Sequence, residues 1–210
     1  VGIIGSAGIP ANYGGFETLV ENLVKELKND FRFIVYCSSF SYDVKRTEYQ
    51  NARLIYIPVK ANGRSSILYD VFSIIHAINK VDILVVLGVG GAFLFPLIRL
   101  FTKKTLVVNI DGLEWKRQKW GPFAKVYLRI QEWIAVKFAH KVIADNEAIQ
   151  SYILSHYDRT SLYAPYGSNH ATYNPLNAST KTDLGIKGSD YFFSVCRIEP
   201  ENNIHLVLDA

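Results

Sequence analysis

The sequence contains no methionine and only two cysteines, and its apolar stretches are broken by Pro or charge before the ~20 residues that a helix needs to cross a bilayer. Each absence narrows the field. Cys37 and Cys196 stand far apart and outside any metal-ligand spacing, which excludes a disulfide scaffold and a zinc motif and predicts two reduced thiols in a cytoplasmic protein. No segment has the pattern of a signal peptide. Charge of one sign is also scarce: 23 basic against 19 acidic side chains leave a formal +4, too little to argue for nucleic acid. What the 210 residues do hold is 49% hydrophobic and 13% aromatic, the composition of a globular chain with a sizeable core. The chain begins at Val1 inside a strand-like run and stops at Ala210 inside a helical one, so it reads as part of a longer protein.

Short β-branched runs alternate with longer segments of helical period. That pattern predicts an α/β fold with a doubly wound, parallel, Rossmann-like sheet. Strands are expected at 1–5, 31–37, 53–58, 82–87, 105–110, 141–144 and 161–165. Helices are expected at 16–28, at 67–79 with Leu68, Val71, Phe72, Ile75 and Ile78 on one stripe, at 123–140, at 146–156, and from the 88–91 turn to about 101, kinked at Pro96. Residues 38–51 read as an exposed connection. Residues 168–188 turn to Asn, Thr, Ser, Pro and Gly, so the parse is a domain at 1–167, a linker at 168–188, and the first strand and helix of a second domain at 189–210.

Open parallel sheets bind ligands outside the carboxyl ends of their strands, where loops meet helix N-termini. The unusual clusters fall there. The loop from Gly5 to Glu17 lacks the dinucleotide spacing and the Walker A Lys and Ser/Thr, yet its Gly14-Gly15 pair lets backbone approach a ligand just before a helix; the plain alternative is a turn. Asp111-Gly112-Leu113-Glu114-Trp115-Lys116-Arg117 follows a strand with acids suited to sugar hydroxyls and a Trp suited to stacking, or else forms a solvated charged loop. Arg197 lies between a strand and a helix N-terminus, where its planar donors and the helix dipole suit a diphosphate.

Five strings occur in order: Gly14-Gly15-Phe16-Glu17-Thr18, Asp111 through Arg117, Ala144-Asp145-Asn146-Glu147, Ala164-Pro165-Tyr166-Gly167, and Arg197-Ile198-Glu199-Pro200-Glu201-Asn202-Asn203. Together they resemble the rhamnosyltransferase-like branch of the bacterial GT-B retaining glycosyltransferases. The resemblance implies two Rossmann-like domains across a cleft, the first on the acceptor side and the second holding a nucleotide-sugar donor, with no metal and no cofactor. It implies donor-phosphate contacts at Gly14, Gly15, Arg197 and Asn202, the last standing where the family usually has a Lys. Asp111 stands where a His is often found, and Asp111 and Glu114 are the expected catalytic residues. Tyr13, Phe16, Glu17, Trp115, Lys116 and Arg117 are the expected acceptor or sugar contacts.

The function so implied is sugar transfer to a carbohydrate or lipid-linked acceptor in bacterial surface polysaccharide assembly. The alternatives are a nucleotide-sugar epimerase of the same architecture and a non-enzymatic flavodoxin-like module. Residues 115–141 hold seven cations, Lys116, Arg117, Lys119, Lys125, Arg129, Lys137 and Lys141, against Glu132 alone, with Trp115, Trp120 and Trp133 among them. This suits an anionic membrane surface and a peripheral place on its cytoplasmic face, whereas the plainer expectation is that Phe123, Val126, Ile130, Trp133 and Ile134 pack on the sheet. Nucleic acid is not an expected partner.

Overall fold

The computed structural model describes residues 1–12, 14–110, 112–167, 172–186, 194, 196 and 202–209. The described chain divides into two units, Val1–Lys116 with Trp120–Tyr166, and Arg117–Lys119 with Gly167–Ala210. In the first, eight strands form one sheet: β1 (Gly2–Ile4), β2 (Ile34–Ser38), β3 (Glu48–Tyr49), β4 (Ala52–Ile57), β5 (Ile83–Leu87), β6 (Thr105–Ile110), β7 (Lys141–Ala144) and β8 (Leu162–Tyr163). Their spatial order is β3-β4-β2-β1-β5-β6-β7-β8, and every pair is parallel except β3 against β4.

The chain winds outward from β1 to β2 and β4, then returns to β5 and winds the other way to β8. The order therefore reverses between β1 and β5, which pair in register from Gly2 opposite Leu84 to Ile4 opposite Val86. Parallel crossovers of one hand that reverse direction must put their helices on opposite faces. Helix α1 (Gly15–Leu27) accordingly packs with Ile3, Val35, Cys37 and Leu54 on one face. Helices α2 (Ser66–Ala77), α3 (Phe95–Phe101), α4 (Pro122–Phe138) and α5 (Glu147–Tyr157) share the core on the other with Ile4, Tyr36, Leu84, Val86, Leu106 and Val108. Burial on both faces is why these strands read as continuous apolar runs. Cys37 lies fully inside, and burial pushes its thiol up to about 11, so it stays protonated.

The expected α/β architecture is the observed one, with several local differences. Within the supposed connection at 38–51, Glu48 and Tyr49 add an antiparallel edge to β4, too short to leave a periodic signal. Pro96 does not kink a helix; it sits at the first turn of α3, where its missing N–H has no partner to lose, after a 3₁₀ turn at Ala92–Leu94. On α2 and α4 the apolar stripe faces outward. The buried side of α2 carries Tyr69, Asp70, Ser73, Ile74 and Ala77, while Leu68, Phe72 and Ile75 are exposed. The buried side of α4 carries Leu128, Gln131, Glu132, Ala135 and Val136, while Phe123, Val126, Ile130 and Trp133 are exposed.

Two polar residues can face inward on α4 because both are bonded. Gln131 Oε1 accepts from the Phe93 N–H at 2.7 Å, and Glu132 Oε1 accepts from the hydroxyls of Tyr152 and Tyr157 at 2.7 and 2.6 Å. In the second unit, α6 (Ala178–Asp183) is a short helix inside the stretch expected to be a linker, capped by the Asn177 side chain accepting from the Thr180 N–H. The helix α7 (Ile204–Asp209) follows. The strand expected near 190–196 lies mostly outside the described residues.

Candidate active site at the carboxyl edge

Because β1, β5, β6, β7 and β8 are parallel, the loops that follow them leave the same edge of the sheet. The loop after β1 is tightly held. Gly5 has φ of +98°, and a Cβ there would come 2.1 Å from the Leu87 carbonyl oxygen of β5, so only glycine lets the two strand ends approach. The Tyr69 hydroxyl, reaching up from α2, shares its hydrogen between the Ser6 and Tyr36 carbonyls at 2.8 and 2.7 Å. Two carboxylates from α1 take backbone donors of the loop: Glu17 Oε1 accepts from the Ala7 N–H at 2.5 Å, and Glu21 Oε2 from the Ala11 N–H at 2.7 Å. The Tyr42 hydroxyl donates to the Pro10 carbonyl at 3.0 Å.

Gly14 caps α1 with extended backbone, and a Cβ at Gly15 would meet nothing within 4 Å. Packing therefore does not require glycine at 15. Phe16 is half-buried against the α1 face of the core, and Glu17 is buried with its carboxylate turned into the loop. Tyr13 lies outside the described residues.

The loop after β5, residues 88–91, rests on a carboxyl group that sequence reasoning did not single out. Asp70 on α2 is 6% exposed, and a Cβ on Gly90 would fall 2.6 Å from its Oδ2. Burial alone pushes its carboxyl group up to about 8, so it is largely protonated at neutral pH. The signal was a lone acid inside an otherwise apolar helix, Ile67-Leu68-Tyr69-Asp70-Val71-Phe72. The same loop is tied to its neighbours by Gly88 N–H donating to the Asn109 carbonyl at 3.1 Å and by the Tyr127 hydroxyl of α4 donating to the Gly90 carbonyl at 2.8 Å.

On β6, Asn109 is buried; its Nδ2 donates to the Tyr166 hydroxyl at 3.0 Å, while its Oδ1 has no hydrogen-bond partner among the described residues. Ser6 Oγ, at the end of β1, is likewise buried without one. Two buried polar groups with unspent capacity thus flank β5 at the carboxyl edge.

Beyond β6, Glu114 begins a 3₁₀ turn, Glu114–Lys116, and its Oε1 accepts from Trp120 Nε1 at 2.9 Å. The Trp115 ring is half-buried and flanked by two cations, Lys116 Nζ at 5.4 Å and the Arg129 guanidinium of α4 at 5.1 Å from its centre. Asp111 lies outside the described residues. After β7, Asn146 caps α5 by accepting from the Ile149 N–H at 2.9 Å and donates to Asp145 Oδ1 at 2.7 Å. The structure therefore brings Gly14, Gly15 and Glu17 to one strand end of this edge and Glu114, Trp115 and Lys116 to another. Arg117 and Asn202 belong to the second unit, where Arg117 is half-buried and Asn202 exposed; Arg197 is outside the described residues. Among the described residues no three His, Cys, Asp or Glu side chains gather as a metal site would need.

Comparison with known proteins agrees with this architecture. Residues 1–169 match a family described as "Domain of unknown function (DUF1972)". Among solved structures, the chain is similar to sucrose-phosphate synthase from Thermosynechococcus elongatus, with a TM-score of 0.66 and 15% identity over 89% of this chain and 52% of that one. A second structure described as sucrose-phosphate synthase from the same organism, from twinned crystals, has a TM-score of 0.53 and 10% identity over 88% of this chain and 94% of that one. The chain spans about half the length of the first of these. At such identities the likeness is one of fold: the mostly parallel sheet and its helices match about half of the first structure. No curated protein matches the sequence.

Proposed function

The chain belongs to the DUF1972 family, and within that family we propose that it is the acceptor-side part of a retaining glycosyltransferase of the rhamnosyltransferase-like type. The observation that carries this reading is where the motif strings fall. Those at residues 14–18, 112–116, 144–147 and 164–167 follow β1, β6, β7 and β8, all at one edge of a sheet whose strand order reverses beside them. Such a switch point is where open α/β sheets bind ligands.

The reaction breaks the bond between the sugar C1 and the diphosphate oxygen, and the acceptor hydroxyl oxygen bonds to C1 from the same face. The leaving diphosphate carries away the electron pair, and the acceptor proton passes to a basic oxygen. Catalysis then consists of stabilising a departing dianion and an oxocarbenium-like centre in a closed site. The backbone N–H groups of Gly14 and Gly15 at the α1 N-terminus suit a diphosphate, with open space at Gly15; the resemblance also gives Arg197 and Asn202 a diphosphate role. Asp111 and Glu114 orient the reacting hydroxyl, with Glu114 held by Trp120.

Tyr13, Phe16, Trp115, Lys116 and Arg117 contact acceptor or sugar, and Glu17 acts by fixing the loop it pins. The unspent Ser6 Oγ and Asn109 Oδ1 suit the hydroxyls of a polyol ligand. The donor is a nucleotide-diphosphate sugar, the acceptor a carbohydrate or lipid-linked chain of a bacterial surface polysaccharide, and transfer needs no metal.

The test is release of nucleotide diphosphate by the full-length protein, with and without chelator, across a panel of nucleotide sugars and saccharide acceptors. Acceptor-dependent release with an unchanged anomeric configuration in the product is expected. Epimerised nucleotide sugar formed without acceptor, or no turnover of any donor, would overturn the assignment.

A further inference from the structure

The outward faces of α3 and α4 carry a surface that the transfer chemistry does not use. On α4, Phe123 is 93% exposed, and Val126, Ile130 and Trp133 continue the stripe at helical spacing with between 44% and 61% exposure. On α3, Leu97, Leu100 and Phe101 are exposed by 54% to 75%. The helices are neighbours: Arg99 of α3 donates to the Phe138 carbonyl at the end of α4. Both pack on the same face of the sheet, so their outward stripes look the same way, and the outward Leu68, Phe72 and Ile75 of α2 belong to the same layer. Scattered exposed apolar residues need no explanation, but a continuous set on adjacent helices marks an interaction surface.

Charge identifies the occupant. Arg99, Lys103, Lys125, Arg129 and Lys137 lie on or beside these stripes, whereas the sole acid of α3 and α4, Glu132, is buried and bonded to two tyrosines. A second copy applying the same face would set cations against cations, and the core of a protein interface is normally depleted of charge. An apolar stripe with Phe and Trp, edged by long cationic side chains that reach past it, is the chemistry of a helix lying in the headgroup region of an anionic bilayer. Trp115 and Trp120 are not the anchors: both are half-buried, one between two cations and the other bonded to Glu114.

We propose that the outward face of α3 and α4 docks on an anionic lipid bilayer. The stripe begins at Phe123, in the first turn of α4, at the same sheet edge as the loop after β6. A bilayer held there lies beside the candidate site.

The experiment is co-sedimentation of the full-length protein with vesicles of phosphatidylcholine alone or mixed with phosphatidylglycerol, at low and high salt and without donor or acceptor, so that it succeeds or fails independently of the transferase reading. Binding is expected to the mixed vesicles only, to weaken with salt, and to fall about tenfold or more in the double variant Phe123→Asp with Ile130→Asp. A weaker loss is expected for Lys103→Glu with Lys125→Glu. In the unmodified protein the Trp133 emission shifts to the blue on mixed vesicles, a shift that Trp133→Phe removes, which keeps the proposal testable should an aspartate variant fold poorly. No binding, equal binding to neutral vesicles, or unchanged binding by the double variant overturns it. So does a concentration-dependent dimer that Phe123→Asp disrupts in the absence of vesicle binding.

Discussion

The loops after β1 and β6 emerge from the same edge of one sheet and show different kinds of contact, side chain to backbone in the first and side chain to side chain in the second. The first is locked from below by Gly5, whose backbone meets β5, and from the sides by Glu17, Glu21, Tyr42 and Tyr69, each spent on a loop backbone group. The second has a 3₁₀ turn, a hydrogen bond from Trp120 to Glu114, and a Trp115 ring held between cations. Loop groups held in place before a ligand arrives cost no reorganisation when it binds, which is what the first loop offers the proposed site.

The contrast breaks most visibly at Gly5. Gly5→Ala is expected to cost more than about 3 kcal/mol by urea unfolding, since both the positive φ and the Leu87 carbonyl oppose a side chain. Gly15→Ala, with open space at its Cβ, is expected to change stability by less than about 1 kcal/mol while lowering kcat/KM at least about tenfold. Equal stability losses would mean that the two glycines serve the same purpose.

Glu17→Gln comes next, with an expected loss of about 1–3 kcal/mol as a buried charge-assisted bond to Ala7 is weakened. Glu114→Gln is the counterpart in the other loop. Its expected stability change is smaller than that of Glu17→Gln, with kcat falling at least about a hundredfold. Activity loss at Glu17 without stability loss would reverse the roles assigned to the two loops.

Asp70 sharpens the comparison through pH. Its folded-state value, about 8, lies above the usual Asp value of 3.8, so between them the folded protein binds more protons than the unfolded chain. Stability from this group therefore falls as pH rises from about 4 to about 8 and is level above that. Relative to the unaltered protein, Asp70→Asn is expected to gain about 1–3 kcal/mol between pH 4 and pH 8, read from urea midpoints at each pH. A difference that is independent of pH would show that Asp70 is ionised in the folded state.

The strands were legible in the sequence because burial on both faces leaves nearly uninterrupted apolar runs, as at residues 105–110. Helix positions were legible too, but not which side of α2 and α4 faces the core. Period 3.6 finds the stronger apolar stripe, and in α4 that stripe, Phe123 to Trp133, points outward while Gln131 and Glu132 point inward with dedicated partners. Motif strings found the loops after β1 and β6, yet Ser6 and Asn109 carry no local signature, and Asp70 carries only that of a lone acid in an apolar helix segment. Asp70 becomes a buried acid only because Gly90 and Gly91, twenty residues on, fold over it. Ser6 and Asn109 flank β5 only through the strand order.

The central claim is that ligand binds at the carboxyl edge around β1, β5 and β6. Hydrogen exchange of the full-length protein, with and without nucleotide sugar and acceptor, tests it most directly. Slowed exchange is predicted in the loops at residues 5–17, 88–91 and 112–121, with no change at the opposite sheet edge, residues 79–82 and 102–104. Protection confined to that opposite edge, under conditions where the protein turns over its donor, would contradict the account.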